Sequence, residues 1–199
     1  MDFYISKEEV VKSLNATLGV VEKRQTLPIL SNVLLEVDES SLKITATDLE
    51  SEISTTSTIS NFKSGGKTTA PARKLNDLCR LLPDLTEIHL FLDGDNLKIE
   101  TESGKYNIST LPSEDFPIFE LEEAKSQINI SSKNLKSIIS NTSFAMGNQD
   151  WRHYLNGLYL SVDDKSITAV ATDAHRLALE SATLNEAISE SIDGIVPRK

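Results

Sequence analysis

The sequence predicts an α+β protein built from a duplicated unit, an antiparallel sheet covered by two helices on one side. Three observations predict it. Residues 1–74 recur 125 positions later without a gap: Ile5-Ser6 falls on Ile130-Ser131 (130 − 5 = 125), Ala46-Thr47-Asp48 on Ala171-Thr172-Asp173, and Arg73-Lys74 on Arg198-Lys199. Short alternating apolar runs are separated by acidic turns, the pattern of antiparallel hairpins. Apolar residues at spacings of three and four mark helices with one face to bury.

Each copy opens on a short strand, Phe3-Tyr4-Ile5 or Ile128-Asn129-Ile130. Ser6 and Glu9 then have capping-box spacing, and Val10, Val11, Leu14, Leu18 and Val21 continue as a buried stripe. Leu135, Ile138 and Ile139 begin the corresponding stripe in the second copy. The runs Ile29 to Val37 and Tyr154 to Val162 predict strands, closed by the turns Asp38-Glu39-Ser40-Ser41 and Asp163-Asp164-Lys165-Ser166. Leu42 to Thr47 and Ile167 to Thr172 return as hairpin arms, and a further strand lies around Glu52–Thr58. Pro71 prepares a second helix, with Leu75, Leu78, Cys79 and Leu82 inward and Arg73, Lys74 and Arg80 outward. The arms Glu87 to Leu92 and Asn96 to Glu100 flank Asp93-Gly94-Asp95, a strong turn signal, and Lys105 to Leu111 supplies the last strand. The acidic, proline-punctuated stretch from Pro112 to Glu123 reads as a linker, which gives units of 1–122 and 123–199. The first copy continues past Lys74 through a helix and several strands, whereas the second stops at Lys199, so a truncated second unit is expected.

Composition narrows the class. A hydrophobic content of 39% with 25% charged residues is ordinary for a globular chain. No apolar run approaches the ~20 residues of a membrane span, and Met1 to Ser6 lacks the basic and apolar regions of a signal peptide. A cytoplasmic protein is the expectation. One cysteine, Cys79, makes neither an internal disulfide nor a zinc site by itself. The net charge of −10 argues at first sight against a phosphate-bearing partner. It is unevenly spread, because residues 1–125 hold 13 Lys+Arg against 22 Asp+Glu, and residues 126–199 hold 7 against 8. The acidic residues concentrate in hairpin turns and the linker. The cations Lys12, Lys23, Arg24, Arg73, Lys74, Arg80, Lys136, Arg152, Arg198 and Lys199 gather on the helices and in the loop after the first of them. Such faces are either merely solvated or a positive surface for nucleic acid on a negative molecule.

Two segments bear chemistry. Thr172-Asp173-Ala174-His175-Arg176 places an aspartate and a histidine two apart on one face of a strand, where they could share a proton or a metal, as a small hydrolase using Asp173 and His175 would require. No nucleophile with an identifiable base, second histidine at ligand spacing or glycine-rich phosphate loop accompanies them, and the first copy has Leu49-Glu50-Ser51 instead. A structural Thr-Asp turn, decorated differently in each copy, is the favoured reading. Catalysis, metal and cofactor are not expected. The segment Gly147 to Tyr154 combines Trp151, His153 and Tyr154 with Arg152, which suits stacking on nucleic acid or, alternatively, anchoring of the following strand to the core. His89, in an apolar strand, reads as structural.

The motifs Thr26-Leu27-Pro28-Ile29-Leu30-Ser31-Asn32, Thr47-Asp48-Leu49-Glu50, Pro71-Ala72-Arg73-Lys74, Ser109-Thr110-Leu111-Pro112 with Asp115-Phe116-Pro117, Tyr154-Leu155-Asn156-Gly157, Ala171-Thr172-Asp173-Ala174-His175-Arg176-Leu177 and Val196-Pro197-Arg198-Lys199 stand in order along the whole chain. By them the chain resembles, in register from Met1 onward, the bacterial sliding clamps, the beta subunits of DNA polymerase III. It implies the DNA clamp, or processivity, fold: a ring-shaped homodimer of three-domain protomers, with helices lining a channel and sheets outside. This chain would hold the first domain and a truncated second one, and without the third it could not close the ring. The implied role is non-catalytic, tethering the replicative polymerase to duplex DNA without sequence preference. By resemblance the DNA-binding set comprises Arg24, Arg73, Gln149, Tyr154 and Arg198, joined by Lys12, Arg80, His153 and Lys199. A pocket for short linear peptides of the polymerase and clamp loader would use Leu155, Thr172, His175, Arg176 and Leu177. The alternative role is a fragment that serves as an interaction module or decoy for those partners.

Overall fold

A computed structural model describes residues 1–21, 27–119 and 127–198. The chain divides into two compact units, Met1–Glu120 and Leu121–Lys199. In unit 1 the order is β1 (Asp2–Ser6), α1 (Lys7–Thr17), β2 (Asn32–Val37), β3 (Ser41–Thr47), β4 (Glu52–Thr58), β5 (Asn61–Ser64), β6 (Gly66–Pro71), α2 (Ala72–Leu81), β7 (Glu87–Asp93), β8 (Asn96–Thr101) and β9 (Gly104–Ser109). The strands make two antiparallel sheets, β4-β3-β2-β6 and β5-β1-β7-β8-β9, where the sequence suggests one. The second sheet arises because β1 pairs with β7, and β7 with β8 and β8 with β9, apart from β2, β3 and β4. The sequence reading passes over β5 and β6, and β5 completes the second sheet by pairing with β1.

Local chemistry starts the helices. The Ser6 hydroxyl accepts from the Glu9 N–H at 3.3 Å, satisfying a donor that has no partner within α1. Val10 and Leu14 then face inward, and the Thr17 hydroxyl returns a bond to the Leu14 carbonyl at 3.0 Å. Helix α1 packs over β3 and β4 and α2 against β2 and β6, and the two helices touch, so they share one face of the four-stranded sheet. Leu75 and Cys79 of α2 are fully enclosed, with Leu82 beside them, whereas Arg73, Lys74 and Arg80 are exposed. Burial pushes the Cys79 thiol up to about 12, which leaves it a small packing group rather than a nucleophile.

Unit 2 contains α3 (Ser132–Thr142), β10 (Gly157–Asp163), β11 (Ser166–Thr172), β12 (Leu177–Thr183) and β13 (Ile192–Pro197). Adding 125 to the bounds of α1, β3 and β4 reproduces those of α3, β11 and β12. The sheet order β12-β11-β10-β13 likewise repeats β4-β3-β2-β6. Ser131 caps α3 as Ser6 caps α1, its hydroxyl accepting from the Asn134 N–H at 3.2 Å. The duplication is therefore structural.

Some expectations change. Residues 128–130 form no strand, whereas β1, their counterpart, is held between β5 and β7. The first part of each long apolar run is a 3-10 turn instead of strand, Pro28–Ser31 and His153–Asn156. Pro28, having no N–H to give to a ladder, suits the first position of such a turn. Ile138 is enclosed, but Ile139 faces solvent and leaves the predicted stripe narrower. The gapless register fails at the last strand. Asn32 faces Pro71, yet its counterpart Gly157 faces Pro197, one residue later than strict repetition requires. At Gly157 a β-carbon would stand 2.7 Å from the Val196 carbonyl oxygen, so the close approach of β13 depends on glycine. The acidic stretch after β9 is more than a tether, because Phe116 is buried and the Leu111 N–H and carbonyl both bond the Thr69 hydroxyl, at 3.2 and 2.8 Å.

Candidate nucleic-acid interface

In unit 1 the exposed helix faces carry Lys12, Arg73, Lys74 and Arg80 against the carboxylates of Glu8 and Asp77. That is a balance of +2 (4 − 2) on the helices of a chain whose net charge is −10. Asp77 lies four residues after Arg73 and three before Arg80, on the same stripe, and moderates the pair. Arg73 also has a structural task, since one guanidinium nitrogen donates to the Val21 carbonyl at 2.9 Å. Arg24 and Lys23 lie outside the described residues.

Unit 2 repeats the arginine contact. Arg198 donates to the Met146 carbonyl at 3.4 Å and to Gly147 at 3.0 Å. Met146 is the counterpart of Val21 (21 + 125 = 146), as Arg198 is of Arg73 (73 + 125 = 198), so the guanidinium contact keeps the repeat offset although β13 itself has slipped by one. Each arginine braces the segment that follows the unit's first helix. A guanidinium carries five N–H donors, so these carbonyl bonds use only part of what each arginine offers.

In unit 2 the braced segment is a loop closed on itself. The Gly147 N–H donates to the Leu155 carbonyl at 2.8 Å, and the Asn156 side chain bonds the Asp150 N–H and carbonyl at 2.9 and 2.8 Å. Asp150 accepts from the Arg152 side chain through both carboxylate oxygens, at 3.0 and 2.9 Å, and from the Arg152 N–H. The Arg152 side chain first, then its N–H, hold the Asp150 carboxyl down to about 2. The loop's only carboxylate is thereby neutralised. Leu155 is buried as its anchor, while Gln149, at φ 57, His153 and Tyr154 face solvent. Trp151 is 82% exposed and Tyr154 61%, so neither ring anchors the strand to the core. Lys199 lies outside the described residues.

The residues of the implied peptide pocket meet at one end of the unit 2 sheet. Thr172 pairs with Leu177 across β11 and β12, and the facing of Tyr159 and Val170 sets the start of β10, with Leu155 just before it, beside the end of β11. His175 and Arg176 occupy the turn between. That turn is held as the Thr-Asp reading expects: Thr172 Oγ1 accepts from the Ala174 N–H at 3.1 Å and donates to the Arg176 carbonyl at 2.7 Å. Asp173 accepts from the His175 and Arg176 N–H groups, each at 3.0 Å, and these two bonds keep its carboxyl below the ordinary range. The first copy builds the same turn with Thr47 and Asp48, down to φ 74 at both Leu49 and Ala174. Asp173 and His175 therefore lie in a turn, not side by side on a strand, and Asp173 bonds backbone and Arg176 rather than the imidazole.

Sequence reasoning missed Phe144, which sits 59% exposed with the Arg176 guanidinium 5.8 Å from its ring centre. A phenylalanine just past a helix reads as core, and only the 3-10 turn Ser143–Ala145 rotates it outward. Among the described residues no group of three or more His, Cys, Asp or Glu could hold a metal ion, and no helix is long and apolar enough to cross a membrane.

Residues 1–120 match the family described as DNA polymerase III beta subunit, N-terminal domain, and residues 129–199 match its central domain. The beta sliding clamp of Vibrio cholerae is 39% identical over 199 residues, and that of Pseudomonas aeruginosa is 41% identical. The crystal structure of the Pseudomonas aeruginosa DNA polymerase III subunit beta superposes with a TM-score of 0.94 at 40% identity. In all three cases the whole of this chain is covered but only 54% of the relative. A further Pseudomonas aeruginosa clamp structure, bound to griselimycin, superposes with a TM-score of 0.93 at 40% identity over the same shares. With both units matched and the whole of this chain superposed on part of a clamp structure, this chain belongs to the DNA polymerase III beta subunit family, the bacterial sliding clamps.

Proposed function

We propose that this chain acts as part of a DNA sliding clamp, a non-catalytic processivity factor that tethers the replicative polymerase to duplex DNA. Beyond family membership, the reading is carried by the cationic helix faces of an acidic chain, with an arginine braced on the same loop carbonyl in both units. Loose phosphate contacts of this kind fit a protein that slides, because they carry no sequence information and are weak enough to exchange. Lys12, Arg73, Arg80, Gln149, His153, Tyr154 and Arg198 are the described members of the proposed DNA-facing set, with Arg24 and Lys199 completing it. Leu155, Thr172, His175, Arg176 and Leu177 form the proposed pocket for linear peptides of the polymerase and clamp loader. Apolar side chains beside an arginine and a histidine suit such peptides.

Duplex binding tests the reading. The 199-residue chain should bind two unrelated labelled duplexes equally and weakly, and lose affinity linearly in log salt, by about 0.9 log unit per log unit of salt for each phosphate contacted. Replacing Lys12 and Arg80 together by alanine should weaken binding and flatten that slope. Salt-resistant or sequence-dependent binding would rule out the sliding role.

A further inference from the structure

Phe144 and the Arg176 guanidinium form a pair that the repeated fold does not require. Unit 1 builds the same Thr-Asp turn, yet the counterpart of Arg176 is Ser51 (176 − 125 = 51) and that of Phe144 is Gly19 (144 − 125 = 19). Ring and cation are both particular to unit 2. The ring is held outward by what surrounds it in the chain. Thr142 and Ala145 are fully buried, Met146 nearly so, and the Met146 N–H closes the turn on the Ser143 carbonyl at 3.2 Å. Phe144 thereby forgoes much of the gain that burying an aromatic ring brings. What the ring has instead is the guanidinium carbon of Arg176, 5.8 Å from its centre. A second contact fixes the same group: Nε of Arg176 donates to Asp173 Oδ2 at 2.9 Å, and Asp173 is itself anchored, its Oδ1 accepting from two N–H groups of the turn. A ring and an anchored carboxylate therefore restrain a side chain that is 57% exposed. Nε–H is one of five guanidinium donors. Among the described residues none accepts from the other four, which form the fork that matches both oxygens of a carboxylate.

We propose that Phe144 is a positioning residue for Arg176, and that the pair makes the pocket of Leu155, Thr172, His175, Arg176 and Leu177 select peptides that carry a carboxylate beside apolar side chains. The inference rests on the peptide-pocket reading and adds to it a residue and a ligand chemistry. A free arginine loses rotamer freedom when a ligand fixes it, and Phe144 removes that loss by ordering the guanidinium beforehand. Asp173 offsets part of the positive charge and the site is open to water, so the selection is a matter of a few-fold.

Fluorescence anisotropy of three labelled hexapeptides with the 199-residue chain tests this. One alternates leucine and glutamine and ends in an amide, one has a central glutamine replaced by glutamate, and one keeps the glutamines but ends in a free carboxylate. A carboxylate peptide should bind roughly 2- to 5-fold more tightly than the neutral one, and which of the two does so identifies the source of the carboxylate. Phe144→Leu, which keeps an apolar surface without a ring, should remove most of that preference and leave neutral-peptide affinity unchanged. Phe144→Trp should keep it, because indole is the better partner for a cation. In Arg176→Gln the preference should be absent and Phe144→Leu should add nothing, since both changes act through one contact. An equal loss for all three peptides in Phe144→Leu would make the ring a plain wall and overturn the positioning role. So would an effect of Phe144→Leu that persists beside Arg176→Gln. If the three peptides bind the unaltered chain alike, the carboxylate selection fails and the pocket reading stands; if none binds, both fail.

Discussion

Single side chains here make structural bonds and also bear on the proposed function. Arg73 and Arg198 each spend donors on a backbone carbonyl of their own unit, so either residue fixes a loop as well as offering charge. Asp150 is the clearest case with a pH signature. Its carboxyl is held down to about 2, against the ordinary aspartate value near 3.9, by the Arg152 side chain and N–H. A depressed acid stabilises the folded loop fully above its unfolded value, and the contribution disappears as pH falls through the folded one. Between roughly pH 4 and 2 the Asp150–Arg152 clamp should therefore release. Trp151 emission should stay constant from neutral pH down to the upper limit of that window and then change. Asp150→Asn should lack that step, with far-ultraviolet circular dichroism separating it from global unfolding.

At the scale of elements, the two helices begin with the same device. Ser6 and Ser131 each accept from the N–H three residues on, at 3.3 and 3.2 Å. Replacing Ser6 by alanine should cost about 1 kcal/mol in urea unfolding, and Ser131→Ala about the same. A glycine at either position should cost only a few tenths of that. An equal loss in both variants, with threonine restoring stability, would tie the effect to the cap. The Thr-Asp turns belong to the same scale. They satisfy four bonds with two short side chains and support φ 74 at a residue that is not glycine. That repeated structural duty, present where the first copy has no histidine, is the physical reason to read Asp173 as a turn former.

For the whole molecule, the proposed function depends on topology more than on affinity. Phosphate contacts of a few cations release few counterions, so their grip is weak at physiological salt. Lasting attachment then has to come from encirclement. The 199-residue chain spans 54% of the length of its relatives. Tested alone, it should leave nicked circular DNA as quickly as the same DNA after linearisation. Retention on circles with loss on cutting would mean that this chain closes a ring by itself.

The sequence by itself determined the duplication, the Ser6 cap, the hairpins, the outward cations of α2 and the two Thr-Asp turns, because each depends on residues close in the chain or on a hydrophobic period that local geometry reads directly. It also placed the chain in its family through motifs quoted residue by residue. Only the tertiary structure decided the rest. Strand formation at 3–5 but not at 128–130 depends on neighbours distant in sequence. The one-residue slip of β13 depends on its partner strand, and Arg73 and Arg198 meet carbonyls about 50 residues away. The exposure of Trp151, Tyr154 and Phe144 was likewise undecided, since an aromatic residue beside a strand can fill a core or face water with the same local pattern. What packs against a residue is a long-range property, and sequence periodicity carries no record of it.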